Sequence, residues 1–303
     1  GYEALLLRMR AHPLPEARQY ADLMLVELRK VIPSFLKRVD LSDRGGRWSD
    51  YLAERYDATM TAVDDLFGAL EPDKSDEVVL VDFDPDGENK VLAALCYPHS
   101  HLPESQLIAH VSKLSDSQKA DLFESYVGVR ENRRHKPGRA FERTGYRFDV
   151  LGDYGAFRDL QRHRMLTIEW QRLSPDHGFV MPELVEAAGC APVFTEAMER
   201  SRELYEALRP DYPGQAPYAI SMAYRLRYAM QFNAREAMHM LELRSAPQGH
   251  PSYRRVALEM YRQIGEVAGH RALAAAMTHI TTEAPELERL ESERRAEERR
   301  NKG

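Results

Sequence analysis

Residues 143–164 read RTGYRFDVLGDYGAFRDLQRHR, and the fold turns on that stretch. From Arg143 to Val150 apolar and polar side chains alternate, which is the period of a half-buried strand. Asp153 is then a plausible N-cap, because its carboxylate can accept from the free amides of a helix's first turn. The helix predicted from Asp153 to Leu160 runs straight into the basic cluster Arg162-His163-Arg164.

Working outward from there, Val78-Val79-Leu80-Val81-Asp82-Phe83 is a second convincing strand, closed by an Asp84-Pro85-Asp86-Gly87 turn. Helices are predicted over 88–96, 103–112 and 115–129, before a basic, flexible stretch at 131–139. Downstream, helices fit 192–208, 233–244 and 252–268. Residues 217–231 suit strand or helix, with a strand favoured in the early part. Towards the N-terminus, 3–11, 15–38 and 49–70 read as helices. In the second of these Ala21, Leu25, Leu28 and Ile32 share a face; in the third Leu52, Tyr56, Met60, Val63 and Phe67 do. The charged run 71–77 marks a boundary. The expected organisation is a helical segment at 1–75, a main domain at 76–275, and a charged tail at 276–303 that is helical or disordered.

With 303 residues, 43% hydrophobic and 30% charged, the chain has the composition of a globular protein able to bury a real core. A net charge of −6 argues against a general nucleic-acid or anionic-membrane binder, so any anion site must be a local basic pocket on an acidic body. Cys96 and Cys190 match no zinc or redox spacing, no metal site is read, and a reducing cytoplasm is the expected setting. No apolar run approaches the length of a membrane span. The opening GYEALLLRMR has no signal-peptide layout and reads as already inside a helix, which suggests a piece of a longer chain. A faint internal echo agrees: Leu6-Leu7-Arg8-Met9-Arg10 with Pro13 is similar to Leu241-Glu242-Leu243-Arg244 with Pro247, each ahead of a long amphipathic helix.

Three groups of residues carry chemistry. Arg162, His163 and Arg164 place two guanidiniums and an imidazole together, and arginine's fixed donors pair well with phosphate or carboxylate. The competing reading is a helix C-terminus whose cations merely answer the macrodipole, worth about 0.3–1 kcal/mol. The segment Asn233 to Arg244 is an amphipathic helix whose Met240, Leu241 and Leu243 fill core. Asn233 at its start is a cap or a ligand group, and Arg235 and His239 form an i,i+4 pair. Glu142, in the run 138–143, would by itself be an ordinary surface carboxylate.

In their order and spacing these blocks resemble the flavin-dependent thymidylate synthases, the ThyX family. Phe141-Glu142 precedes Arg162 by about twenty residues, and Asn233-Ala234-Arg235 leads to Leu243-Arg244, as in that family. The likeness covers roughly residues 76–270. It implies an α+β fold, a small and mainly antiparallel sheet flanked by helices, here preceded by a helical N-terminal segment. It also implies FAD held by Glu142, Arg162, His163, Arg164, Asn233, Arg235 and His239. Arg244 would bind and polarise the pyrimidine of dUMP, and Arg162 with Arg244 would stabilise negative charge during reductive methylation at C5. NADPH and methylene-tetrahydrofolate would be co-substrates, and no protein nucleophile is needed. Family sites form where subunits meet, so a homo-oligomer or a tandem-copy partner is expected.

The departures concentrate on the nucleotide side. Trp170, Arg172 and Ser174 stand where the family has Glu, Ser and Arg. Asp159 replaces a Gln, and Ala216-Pro217 lacks a phosphate-binding arginine. Arg172 is a candidate replacement for the phosphate contact, whereas a carboxylate at Asp159 opposes a phosphate-bearing substrate. Two functions follow from the resemblance: a synthase with a degraded nucleotide site, or a non-catalytic copy that acts structurally or completes a partner's site. A plain helical scaffold with a solvated basic turn is the third reading.

Overall fold

The computed structural model describes residues 1–282 together with Arg294, Glu297, Glu298 and Arg300. Apart from those four, the tail expected to be helical or disordered from Glu283 onward lies outside the described residues. The chain divides into two compact units: Gly1–Lys74 with Glu206–Tyr218, and Ser75–Tyr205 with the remainder from Ala219.

The first unit is built on α1 (Tyr2–Arg10), α2 (Pro15–Val31) and α3 (Arg47–Phe67). Proline at the first position of α2 costs nothing, because that amide would have no helical partner anyway. The helix ends at Val31 rather than at residue 38, since Pro33 cannot supply the amide that would extend it. Leu6, Leu7, Ala21, Leu25, Leu36 and Val39 form a small core. Gly45 is required by close approach: a Cβ there would sit 2.4 Å from the Val39 carbonyl oxygen. On α3 the predicted apolar stripe is largely uncovered, with Tyr56, Met60, Val63 and Phe67 all exposed.

The second unit is α+β. Its sheet contains β1 (Val78–Phe83), β2 (Gly145–Asp153), β3 (Thr167–Trp170) and β4 (Arg225–Asn233), antiparallel throughout, in the order β1-β2-β4-β3. Tyr146, Phe148 and Val150 on β2 and Leu226, Tyr228, Met230 and Phe232 on β4 alternate inward and are buried, as period-two patterning requires. The strand favoured early in 217–231 is corrected: Ala216–Ala219 is a short 3-10 turn and the strand is the later run. Pro217, without an amide proton, suits a turn better than a ladder.

Around the sheet stand α4 (Gly87–Cys96), α5 (Glu104–Val111), α6 (Asp116–Val127), α7 (Tyr154–Leu160), α8 (Glu183–Ala187), α9 (Ala191–Leu208), α10 (Ala234–Arg244), α11 (Pro251–Glu266) and α12 (Arg271–Ala275). Gln263 of α11 ties that helix to β1, accepting from Leu80 N at 2.7 Å and donating to Val78 O at 2.7 Å. Beneath α10, Arg130 and Glu242 make a fully buried ion pair, with a second contact at 2.7 Å. No helix among the described residues is long and apolar enough to cross a membrane.

Candidate functional site

Two strand ends position the site. Asp153, the last residue of β2, caps α7 by accepting from Ala156 N at 2.7 Å. Asn233, the last residue of β4, caps α10 by accepting from Glu236 N at 2.9 Å. Each cap is worth about 1 kcal/mol and lets the helix start without a connecting loop. The paired strands therefore fix where both helices begin. The turn after α7 carries Arg162-His163-Arg164 onto α10.

His163 holds that junction. It is buried, with its Nδ1 2.9 Å from Glu236 Oε1. Arg244 Nε donates to His163 Nε2 at 3.0 Å. Since an arginine can only donate, the imidazole proton must sit on Nδ1, and His163 donates it to Glu236. Arg244 is further fixed by a bond to the Asp159 carbonyl at 2.6 Å and by the Tyr253 ring, whose centroid lies 5.3 Å from its guanidinium carbon. His239 reaches the other Glu236 oxygen at 3.4 Å and meets the His163 ring edge-on. Burial pushes the Glu236 carboxyl up, but the hydrogen bonds from His163 and His239 bring it below the usual carboxylate range. Burial pulls His239 below the usual histidine value, only partly offset by Glu236.

His163, Glu236 and His239 have donor atoms within 4.8 Å of one another, close enough for a metal ion. The Arg244 bond argues for a hydrogen-bonded network instead. A metal on His163 Nδ1 would leave Nε2 to carry the proton, facing an arginine donor.

Two clefts open on either side of the basic turn. The larger, about 560 Å³, has Glu142, Arg143, Arg164, Gln231 and Asn233 in its walls. The smaller, about 310 Å³, is bounded by Arg162, His163, Arg164, His239 and Arg244. Both lie in the volume range of small-molecule sites, and Arg164 and Met165 belong to both. Arg235 bonds to the Pro137 carbonyl and to Glu142, each at 3.2 Å. Arg139 bonds to the same carboxylate, so Glu142 is held below the usual carboxylate range, chiefly by Arg139.

The expected site residues are thus brought together, with different attachments. Glu142, Arg164 and Asn233 face the larger cleft; Arg162, His163, Arg164, His239 and Arg244 face the smaller. Arg235 and His239 pair with separate carboxylates rather than with each other. Arg172 is exposed beyond β3 and lines neither cleft. Trp170 leans on Phe157, with ring centroids 5.6 Å apart. Asp159 lies 3.2 Å from Arg162 and 3.7 Å from Arg244. Sequence reasoning missed Glu236, the carboxylate to which both histidines turn. The one available signal was its position three residues after the Asn233 cap, and any solvated first-turn glutamate shares that signal.

Residues 79–269 match a family model described as thymidylate synthase complementing protein. A UPF0159 protein of Chlamydia pneumoniae is 37% identical over 264 residues, which make up 87% of this chain and 50% of that protein. The chain spans about half the length of the curated relatives it matches. Among solved structures, the UMP/dUMP methylase PolB of Streptomyces cacaoi, bound with 5-Br dUMP, is similar in fold. Its TM-score is 0.53 at 20% identity, over 67% of this chain and 96% of that one. Helicobacter pylori ThyX with FAD and dUMP is a weaker likeness, with a TM-score of 0.49 at 18% identity, over 67% of this chain and 100% of that one.

Proposed function

The chain belongs to the thymidylate synthase complementing protein family, and from that membership we propose that it binds FAD in the larger cleft and a dUMP-like nucleotide in the smaller. The reaction is the reductive methylation of C5 of the pyrimidine, with NADPH as reductant and methylene-tetrahydrofolate as carbon donor. What carries this reading is one observation: two clefts share the Arg164 wall, the larger lined by Glu142 and Asn233 and the smaller by Arg244, with Arg162, His163 and His239 of the flavin set beside Arg244. The larger cleft suits an anionic, ring-bearing ligand, since Arg164 makes no ion pair among the described residues and Asn233 and Gln231 offer amide donors and acceptors.

A bound flavin would supply the reducing equivalents. The protein's own part is electrostatic. Arg244, fixed by His163, the Asp159 carbonyl and Tyr253, presents a preorganised cation towards the smaller cleft, where charge on a pyrimidine carbonyl would develop. His163, with both ring nitrogens engaged, is a positioning residue for Arg244. Arg162, in the lining of the same cleft, adds a second cation.

A second reading, the site-completing copy, is favoured by Asp159. Its carboxylate stands against both Arg162 and Arg244, where a nucleotide's negative charge would otherwise go. A titration with FAD followed by dUMP separates the two. The synthase reading expects flavin fluorescence quenching at micromolar FAD and then a dUMP-dependent change in the flavin spectrum. Protein that ignores FAD defeats the flavin assignment. Flavin binding with no response to millimolar dUMP leaves the site-completing reading.

A further inference from the structure

The first unit repeats the helical layer of the second at a constant spacing. Pro15 and Pro251 are 236 positions apart, and each opens its long helix. At the same spacing stand Leu5 and Leu241, Leu7 and Leu243, Arg8 and Arg244, Arg18 and Arg254, Ala21 and Ala257, and Met24 and Met260. The structure therefore sharpens the echo seen in the sequence: Pro15, not Pro13, is the counterpart of a proline in the second unit. Ala21 and Ala257 are both wholly buried, as expected of two copies with the same inner helix face.

The outer face differs between the copies. In the second unit, Met238, Leu241 and Val256 are at most 1% exposed, in the core that also holds the inward residues of the sheet. Their counterparts in the first unit, Tyr2, Leu5 and Tyr20, are 57%, 45% and 62% exposed. Gln263, which stitches α11 to β1, corresponds to Glu27, whose carboxylate is exposed and, among the described residues, paired with Lys30. The residues that seat a sheet in one copy are thus present and uncovered in the other.

We propose that the Tyr2–Leu5–Tyr20 face is the seat of a second antiparallel sheet of the kind formed by β1–β4. The native polypeptide then carries two domains of this family, with α1 and α2 as the closing helices of one and α10 and α11 as those of the other. The matched part of this chain makes up only 50–56% of the curated relatives, which leaves the room a second such domain needs. Seated in this way, Arg8 occupies in that domain the place that Arg244 occupies in this one.

Tyrosine-selective nitration followed by peptide mass mapping tests this on two samples, the 1–303 chain and the polypeptide as natively encoded. Tyr97, exposed at 56%, is the reactive control, and the fully buried Tyr146 and Tyr228 are the inert ones. In the 1–303 chain Tyr2 and Tyr20 should react at the rate of Tyr97. In the native polypeptide they should slow at least tenfold, towards Tyr146. Reaction at the Tyr97 rate in the native polypeptide overturns the proposal. So does protection that appears in the 1–303 chain alone as its concentration rises, since the occupant would then be a second copy. A paired variant, Leu5→Lys with Tyr20→Glu, should leave the melting temperature of the 1–303 chain unchanged and lower that of the native polypeptide. Neither readout depends on flavin or nucleotide binding.

Discussion

The two clefts share Arg164 and Met165 but differ in how far their charges are already spent. In the smaller cleft two of the three arginines are committed: Arg244 to His163 and to the Asp159 carbonyl, and Arg162 to the Asp159 carboxylate. In the larger cleft Glu142 is tied to Arg139 and Arg235, while Arg164 makes no ion pair among the described residues. The first arrangement is rigid, with the single carboxylate of Asp159 set against both Arg162 and Arg244. The second keeps a cation available to a ligand. Geometry of this kind separates preorganisation from occupancy: a fixed arginine is useful to a transition state only if its own protein has not already answered its charge.

The largest effect that would break this contrast comes from Glu236→Ala. It leaves the buried Nδ1 proton of His163 without an acceptor, a loss of about 2–3 kcal/mol, read as a lower urea midpoint. Arg244 should lose its fixed orientation, so any dUMP response disappears, while FAD affinity changes less than threefold. Equal loss of both ligands would show that the clefts are not separable. Arg164→Ala is next. Because this residue lines both clefts, FAD and dUMP affinities should each fall roughly tenfold, the cost of one charge-assisted hydrogen bond. A change confined to one ligand would assign Arg164 to a single cleft. Asp159→Asn is smaller and of opposite sign. It removes the negative charge beside Arg162 and Arg244, so dUMP affinity should rise severalfold with FAD affinity unchanged, as measured by calorimetry. No gain would remove Asp159 as the reason for a weak nucleotide site.

How much of this was legible in sequence follows from what each residue needs in order to be recognised. Asn233 could be read as a cap because capping is local, decided within four residues. The inward residues of β2 were legible because alternation survives over nine positions. β3 is four residues long, too short to display a period. The Arg-His-Arg cluster was visible as chemistry, yet the inward turn of His163 was not, since its partners Glu236 and Arg244 lie 73 and 81 positions away. Glu236 itself looked like any solvated helix glutamate until a histidine was brought to it. In the same way Asp159 was legible as a departure from the family pattern, but its grip on two arginines depends on where α7 ends.

The smallest expected effect concerns pH and separates the clefts once more. His239 borders only the smaller one, and burial, the largest influence on it, holds it below the ordinary histidine value. The unfolded chain therefore takes up this proton at a higher pH than the folded chain does. By linkage, the contribution of a neutral His239 to stability is fully present above about pH 6.5, the ordinary histidine value, and is lost as the pH falls towards the folded value. His270, buried between Tyr146 and the Asp84 carbonyl, is displaced in the same direction and adds to the same slope. The melting temperature should decline between pH 7.5 and 5.5. Since His239 is partly exposed, its replacement in His239→Gln should flatten the decline only slightly, by about a degree, and His270→Gln by more. A melting curve that rises on acidification, or that is indifferent to both substitutions, would mean that the imidazoles are stabilised as cations, with Glu236 rather than burial deciding the charge of the smaller cleft.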